Sequence, residues 1–550
     1  MTTEIFPSPL SPTTLRRAET ETTKVINLPK TISDLNIYYA NSQGKVIIDP
    51  LEAEAELAQK LKLDKTGRII LWPQPSHSPD DPQNWSSHKK LVHLIILTMA
   101  SFVPDFCSAI GIASLFSLAK EFDTTPGEIN NLTSKIKETL ICFISGSISW
   151  SIFLLGPGGI LAVIFVKRYG RLPVLFWSQL IGLGFLIGCA AAPTLPIFAA
   201  MRCLNAFFST APQVMGLYVV NDLYPFHLQA RMVPNYTMSI HRAIWVSGIQ
   251  NSSMYVGIVV ILIALFMEET IYDRFSEDQP VPGRSFKARF ESLIGITGFR
   301  TAGDRDTWRQ AITPMIQLLA RPHLMGILIY LGAVFGFGIG INVTNVVFVL
   351  SPPPFGFGLT TIAASSLYAT PVIAVFIGEI MGRYINDAIA KRLTHRNSGV
   401  FEPEMRLWTL YIGLPLYVGG LVLLGAAFQE KLSVAAIVFG WGLAEVATMV
   451  TTVACSALSY STVNYTNNTF PFPGEISALL NQSRVLGGFA VPFFQVKWAS
   501  SRGALETFGC EAAIDVELIW DKKDHYRYIL VSCSGSSNKG ATIKEFIASV

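Results

Sequence analysis

Charged side chains make up only 15% of this 550-residue chain, well short of the roughly one quarter usual in soluble domains. With a mean hydropathy of +0.41, that scarcity excludes both a soluble enzyme and a disordered scaffold. The charge present is nearly balanced, 42 Lys and Arg against 39 Asp and Glu, too little excess for a nucleic-acid footprint, so no nucleic-acid partner is expected. Cysteine is scarce too. Its seven copies form no CxxC pair and fall mostly inside apolar runs, where a thiol packs as a small hydrophobe, so neither disulfides nor a metal site are expected, nor any cofactor. HExxH and GxSxG are absent and His93, His241 and His323 stand isolated, which argues against an enzyme. No basic stretch followed by an apolar one opens the chain, so its first segment is expected to stay in the cytosol.

What the sequence does have is apolar runs of about twenty residues, the length a helix needs to cross roughly 30 Å of hydrocarbon. Ten are clear, at 91–118, 140–166, 173–192, 195–220, 245–267, 324–350, 361–380, 407–428, 433–458 and 476–499. Basic residues collect in alternate loops: Lys167, Arg168 and Arg171 after the second run, Arg231 after the fourth, eight between Arg274 and Arg321, and Arg383, Lys391, Arg392, Arg396 and Arg406 after the seventh. Those loops are therefore read as cytoplasmic. Asn131-Leu132-Thr133 would then face outside as a glycosylation sequon, whereas the sequons at Asn464 and Asn467 fall inside and carry no expectation. The division is a flexible cytoplasmic tail over 1–90, a helical bundle over 91–267, a cytoplasmic central loop over 268–322, a second bundle over 323–499 and a polar segment over 500–550.

The two bundles share a layout, with Gly170-Arg171 after the second run and Gly382-Arg383 at the matching place in the second half. Asp81-Pro82-Gln83-Asn84-Trp85-Ser86 precedes the first run, Lys167-Arg168-Tyr169-Gly170-Arg171 follows the second, and Glu268 to Arg274 opens the central loop as EETIYDR. Asn386-Asp387 and the FEPEMRL stretch from Phe401 to Leu407 mark the matching second-half loop. On these motifs the chain resembles a fungal member of the major facilitator superfamily over about residues 68–513. The resemblance implies an all-α integral membrane fold, twelve helices in two bundles around a cavity that opens alternately to each side, of which ten are clear here. It also implies a monomer in the plasma membrane that moves a small organic solute, with or without protons.

The sequence departs from that pattern in three places. The loop motif usually carries an acid where Lys167 stands and a Gly where Val163 stands, so the charge lock attributed to the motif does not carry over. Only twenty-six residues lie between Arg242 and Met267, room for one crossing where the family has two. If that run crossed alone, every later loop would change sides. Beyond Phe494 the residues 511–527 hold eight charges and read as too polar for a twelfth helix.

Among the charged residues within the runs, Asp105, Arg202, Glu445 and Arg484 are candidates for function, since a charge at the bilayer centre costs about 2.5–3.5 kcal/mol on insertion scales. Asp105 follows Pro104 in the first; it binds a proton or a cationic substrate, or else sits solvated near the outer surface. Arg202 resembles the family's fourth-helix arginine, linked to proton coupling, and either grips an acid or snorkels outward. Glu445, with Trp441, Thr448, Thr451 and Thr452 on or beside its face, lines a cavity or makes one interhelical hydrogen bond. Arg484, with Asn481 and Gln482, coordinates a polar ligand or marks the shallow end of its helix. Asn342 and Asn345 share a face and bond a ligand or a neighbouring helix. Gly170, Arg171, Gly382, Arg383 and Asp387 belong to the loop motifs, and Asp222 with Arg231 is read as an inner-gate pair. The competing reading is a membrane protein that transports nothing, truncated or drawn from wrongly joined exons, whose incomplete helix set encloses no cavity.

Overall fold

The computed structural model describes residues 78–113, 148–224, 249–272, 286–303, 305–351, 356–396, 403–466 and 473–520, with 62, 71, 75, 76 and 353. Among them every regular element is a helix. In the first half these are α1 (Ser87–Ala113), α2 (Ile148–Tyr169), α3 (Arg171–Ala190), α4 (Leu195–Ser209), α5 (Ala211–Leu223) and α6 (Ile249–Phe266). Helices α4 and α5 are one crossing interrupted at Thr210, where Pro212 removes a backbone donor. Three short helices, α7 (Phe286–Ile294), α8 (Ile296–Thr301) and α9 (Trp308–Leu319), lie in the central loop. The second half holds α10 (Pro322–Leu350), α11 (Thr361–Leu367), α12 (Ala369–Arg396), α13 (Leu407–Gln429), α14 (Val434–Thr466), α15 (Pro473–Arg502) and α16 (Ala504–Trp520).

Six crossings are long and apolar enough to span a membrane unaided: α2, α3, α4 with α5, α10, α13 and α14. The other long helices mix charge into the same length: Asp105 in α1, Glu379 and Arg383 in α12, Arg484 in α15. Each half has its own apolar core. One gathers Leu97, Leu175, Met215 and Ile263; the other gathers Tyr417, Phe428, Trp441 and Phe508.

Contacts with α1 fix the face at which α5 and α6 end. The end of α6 lies beside the start of α1: Lys89 Nζ is 2.6 Å from Glu268 Oε2, and the Glu268 N–H donates to His93 Nε2 at 3.0 Å. Lys90 Nζ stands 5.5 Å from the ring of Tyr224, just after α5. Helices α5 and α6 therefore end at the same face. The stretch on which the single-crossing expectation turns, residues 225–248, lies outside the described residues.

Two expectations are corrected. Residues 78–90, grouped with the flexible tail, are folded. The Asp81 carboxylate accepts from the backbone N–H groups of Ser76 and Gln83 at 2.8 and 3.0 Å, and Asn84 Nδ2 donates to the Ser76 and Ser78 carbonyls. The segment judged too polar for a helix contains α16, whose 17 residues extend about 26 Å. Its charge misled because Glu511 and Asp515, one turn apart, point inward and are wholly buried, while Phe508 packs 6.2 Å from Phe428. Gln495 Nε2 bridges both Glu511 oxygens at 2.9 Å, and Thr344 Oγ1 donates to Gln495 Oε1 at 2.9 Å.

Candidate functional site

The loop motifs meet at one face of the molecule. Gly170 has φ 109°, a conformation that disfavours a side chain, and an added Cβ would lie 2.6 Å from Glu269 Oε2. That carboxylate accepts from the N–H groups of Arg171 and Leu172 at the start of α3, and from Thr270 and Ile271, which satisfies donors a helix N-terminus leaves open. The Arg171 guanidinium pairs with Asp222, donates to Thr270 Oγ1 at 3.1 Å and lies over the Tyr218 ring. Asp222 thus takes Arg171 as its partner; Arg231 lies outside the described residues. Burial lowers the Arg305 guanidinium in the central loop, with Glu269 acting against it.

Lys167 occupies the place that the sequence pattern left without a lock. Its ammonium pairs with Glu475, the third residue of α15 in the other half, and stands 3.8 Å from Asp306. Tyr218 donates to the other Glu475 oxygen at 2.9 Å. A charge pair across the halves is therefore present with its signs reversed.

From Glu475 a stripe along α15 runs against the first half. Ala478 belongs to that half's core, Asn481 Nδ2 lies 3.4 Å from the Cβ position of Gly159, Gln482 abuts Gly156, and Val485 packs with Ile152 and Leu155. At the far end Phe489 meets Trp150 and Phe153 at 5.0 and 5.2 Å. The spacing of three and four residues is that of one helix face. On α15's other flank Gly487 meets the backbone of Gly332 and Gly336 in α10, a close approach that only small residues permit.

Beside this seam stand the charges. Arg484 lies with its guanidinium carbon 4.1 Å from the Phe335 ring centre on α10, and the Asp105 carboxylate of α1 acts on it electrostatically. Asp105 is exposed and Arg484 half-buried. Arg202 is buried at 6% exposure, among the thiols of Cys107, Cys189 and Cys203, with Nη2 donating to the Cys107 carbonyl at 3.3 Å. It does not snorkel outward. Three of the four charges thus gather around α1 and α15.

Glu445 stands apart, accepting from Trp441 Nε1 of its own helix at 3.2 Å rather than across helices. The Tyr368 ring packs edge-on against Trp441 and its hydroxyl donates to the Asn342 carbonyl at 2.6 Å. On the threonine-lined face, Thr448 and Thr452 give their hydroxyls to carbonyls of their own helix. Asn342 Nδ2 does likewise, to Gly338, while neither side-chain polar atom of Asn345 has a hydrogen-bond partner. In the second half Gly382 packs on Val450 and Val453. Arg383 lies near Glu379. Burial lowers Arg406, and Asp387 opposes that. Sequence reasoning missed Glu475, Tyr218 and Glu269 as site residues and passed over Phe335; a lone acid at a helix start gives no signal of the partner folding brings to it.

The fold matches solved structures across most of the chain. At TM-score 0.52 and 13% identity, 80% of it aligns with 96% of the proton:xylose symporter XylE. The human organic anion transporter MFSD10 aligns equally well, over 79% of this chain and 99% of its own. The chain has the fold of the major facilitator superfamily. Among curated major facilitator proteins it is 23% identical over 341 residues to the MFS transporter eqxG of Fusarium heterosporum, covering 62% of this chain and 63% of that one. To the efflux pump vrtL of Penicillium aethiopicum it is 23% identical over 376 residues, 65% and 70% of the two chains. The chain spans just under two thirds of the length of the first curated relatives it matches. No family profile matches it. It is an all-α, multi-pass membrane protein of the major facilitator fold.

Proposed function

We propose that this major facilitator chain moves a small organic solute across the plasma membrane by alternating access, its two halves rocking about the seam between α2 and α15. The observation that carries the reading is the placement of Arg484 of one half over Phe335 beside that seam, within electrostatic reach of the Asp105 carboxylate of the other half. A charge pair shared between two bodies that must separate can favour one arrangement over another, which a merely structural pair inside one bundle cannot do. The curated relatives named as transporters and as an efflux pump support the same activity. The non-transporting alternative rested on missing helices, and one of these, at the end of the second half, is present as α16.

Protons are proposed as the coupling ion, with Asp105 or Glu445 as carrier. The test is solute flux in vesicles carrying the purified full chain, with and without an imposed pH gradient, across a panel of candidate solutes. Flux that follows the gradient supports the coupled reading. Flux indifferent to it leaves a facilitator, and no flux of any solute counts against transport.

A further inference from the structure

Three polar side chains crowd one turn of α15 at the seam, and each keeps a buried polar atom without a hydrogen-bond partner among the described residues: Asn481 Nδ2, Gln482 Oε1 and Arg484 Nε. Buried polar groups are nearly always satisfied, so such a cluster has a physical cause. An unmet N–H on a guanidinium is costly, because the charge cannot be discharged by losing a proton. Among the described residues, the carboxylate that acts on Arg484 is Asp105, which comes from the other half and is itself exposed. The wall beside the arginine is apolar. Phe335 lies under the guanidinium and Val485, Ile152 and Leu155 form the neighbouring patch, with Trp150, Phe153 and Phe489 a turn further along.

A cation held over an aromatic face, with open N–H donors and two amides beside it, is complementary to a group with a delocalised negative charge attached to an apolar body. A cationic solute would instead have to lie next to Arg484, and a neutral polar one would leave its charge unanswered.

We infer that the solute is an amphipathic organic anion, its acid group held by Arg484 with Asn481 and Gln482, its apolar body lying on Phe335 and the aromatic residues at the seam. The inference rests on the transport reading and names the substrate class of that same site. Asp105 then acts as the internal competitor: its carboxylate balances Arg484 in the empty site, and the solute's acid replaces it there.

The test measures binding, not flux. Three probes share one apolar body and differ only in charge: 2-naphthoate, 2-naphthylmethanol and 2-naphthylmethylammonium. Each is titrated against the purified full chain in lipid nanodiscs, with thermal protection as the readout. Naphthoate should bind at least ~10-fold tighter than the alcohol, worth about 1.4 kcal/mol, and the ammonium should bind worst. Arg484→Gln should erase that order, Arg484→Lys should keep part of it, and Asp105→Asn should tighten naphthoate binding. The lysine and asparagine variants retain the packing if the glutamine variant fails to fold. Equal binding of acid and alcohol, preference for the ammonium, protection by none of the three, or a naphthoate preference that survives Arg484→Gln overturns the anion assignment. Binding of the alcohol or the ammonium as tight as that of naphthoate, or tighter, would do so while leaving a solute site, and hence the transport reading, in place.

Discussion

Lys167 and Glu475 join the two halves of the molecule at the face where the loop motifs meet, the lysine at the last turn of α2 and the acid at the first turn of α15. The side chain of Glu475 is wholly buried and that of Lys167 is 14% exposed. Tyr218 shares the carboxylate, so the pair is held in place rather than drifting in solvent. An acid at the first turn of α15 also meets the favourable end of that helix dipole. Separation of the two halves at this face would break the contact.

Breaking this pair should open the inner face. Leaving one partner of a buried pair alone costs roughly 3–5 kcal/mol, and partial exposure of Lys167 places the effect at the lower end. Lys167→Glu should therefore speed alkylation of a cysteine placed at Gln482 from the inner side, and the double exchange Lys167→Glu with Glu475→Lys should slow it again. Equal alkylation rates in all three proteins would show that the pair does not hold the halves together.

Glu269 should matter more to folding than its loop position suggests. Its carboxylate receives backbone N–H groups at the start of α3 and from the segment that follows it. Loss of a capping acceptor costs about 0.5–2 kcal/mol. Glu269→Ala, and Gly170→Ala through its collision with the same carboxylate, should each lower the melting temperature in detergent. Melting unchanged in both would mean that the cap contributes nothing.

Asp515 gives the opposite sign. Both its oxygens are buried and without a hydrogen-bond partner in the structure, and an unmet buried polar group costs roughly 1–3 kcal/mol. Asp515→Leu should leave stability unchanged or raise it, whereas Glu511→Leu, which abandons Gln495, should lower it. A marked loss of melting temperature in Asp515→Leu would reveal a partner that the described residues do not include.

How much of this was legible beforehand depends on what each residue does. Apolar length reveals a crossing, and α2, α3, α10, α13 and α14 are visible in hydropathy alone because most of their surface meets lipid or other apolar helices. Helix α16 is not, since Glu511 and Asp515 face a neighbour across the bundle and sequence reports their charge without their direction. The motif around Gly170 was legible as a glycine followed by a fixed charge. Its partner Glu269 lies nearly a hundred residues on, and only folding brings it to the N-terminus of α3. Arg484 announced itself by the penalty for charge in lipid, but Asp105, which answers it, could not be paired with it from spacing.

The central loop and the first ninety residues should both face the cytosol, because the basic loops gather on that side. Phe299 in α8 is 70% exposed and offers a site that disturbs little. Phe299→Cys should react with a membrane-impermeant maleimide only after the cells are permeabilised. Reaction on intact cells would invert the topology.

Coupling is the last and most demanding expectation. If Asp105 carries the proton, its titration switches the balance around Arg484, since a neutral Asp105 no longer answers the guanidinium and an anionic solute can. Asp105→Asn fixes that neutral state. It should abolish flux driven by a pH gradient while leaving exchange of solute across the membrane measurable, because the side-chain shape is kept and only the titration is lost. If Glu445 is the carrier, Glu445→Gln should give that phenotype instead, and Asp105→Asn should leave the pH dependence intact. Arg202 differs from both. It holds the Cys107 carbonyl, two residues beyond Asp105 on α1, so Arg202→Gln should weaken driven flux and exchange together by loosening the helix that presents Asp105. The measurement is flux of one screened solute in vesicles, with and without a gradient, for wild type and the three variants. Full pH dependence in both acid variants would make these carboxylates structural and the chain a facilitator.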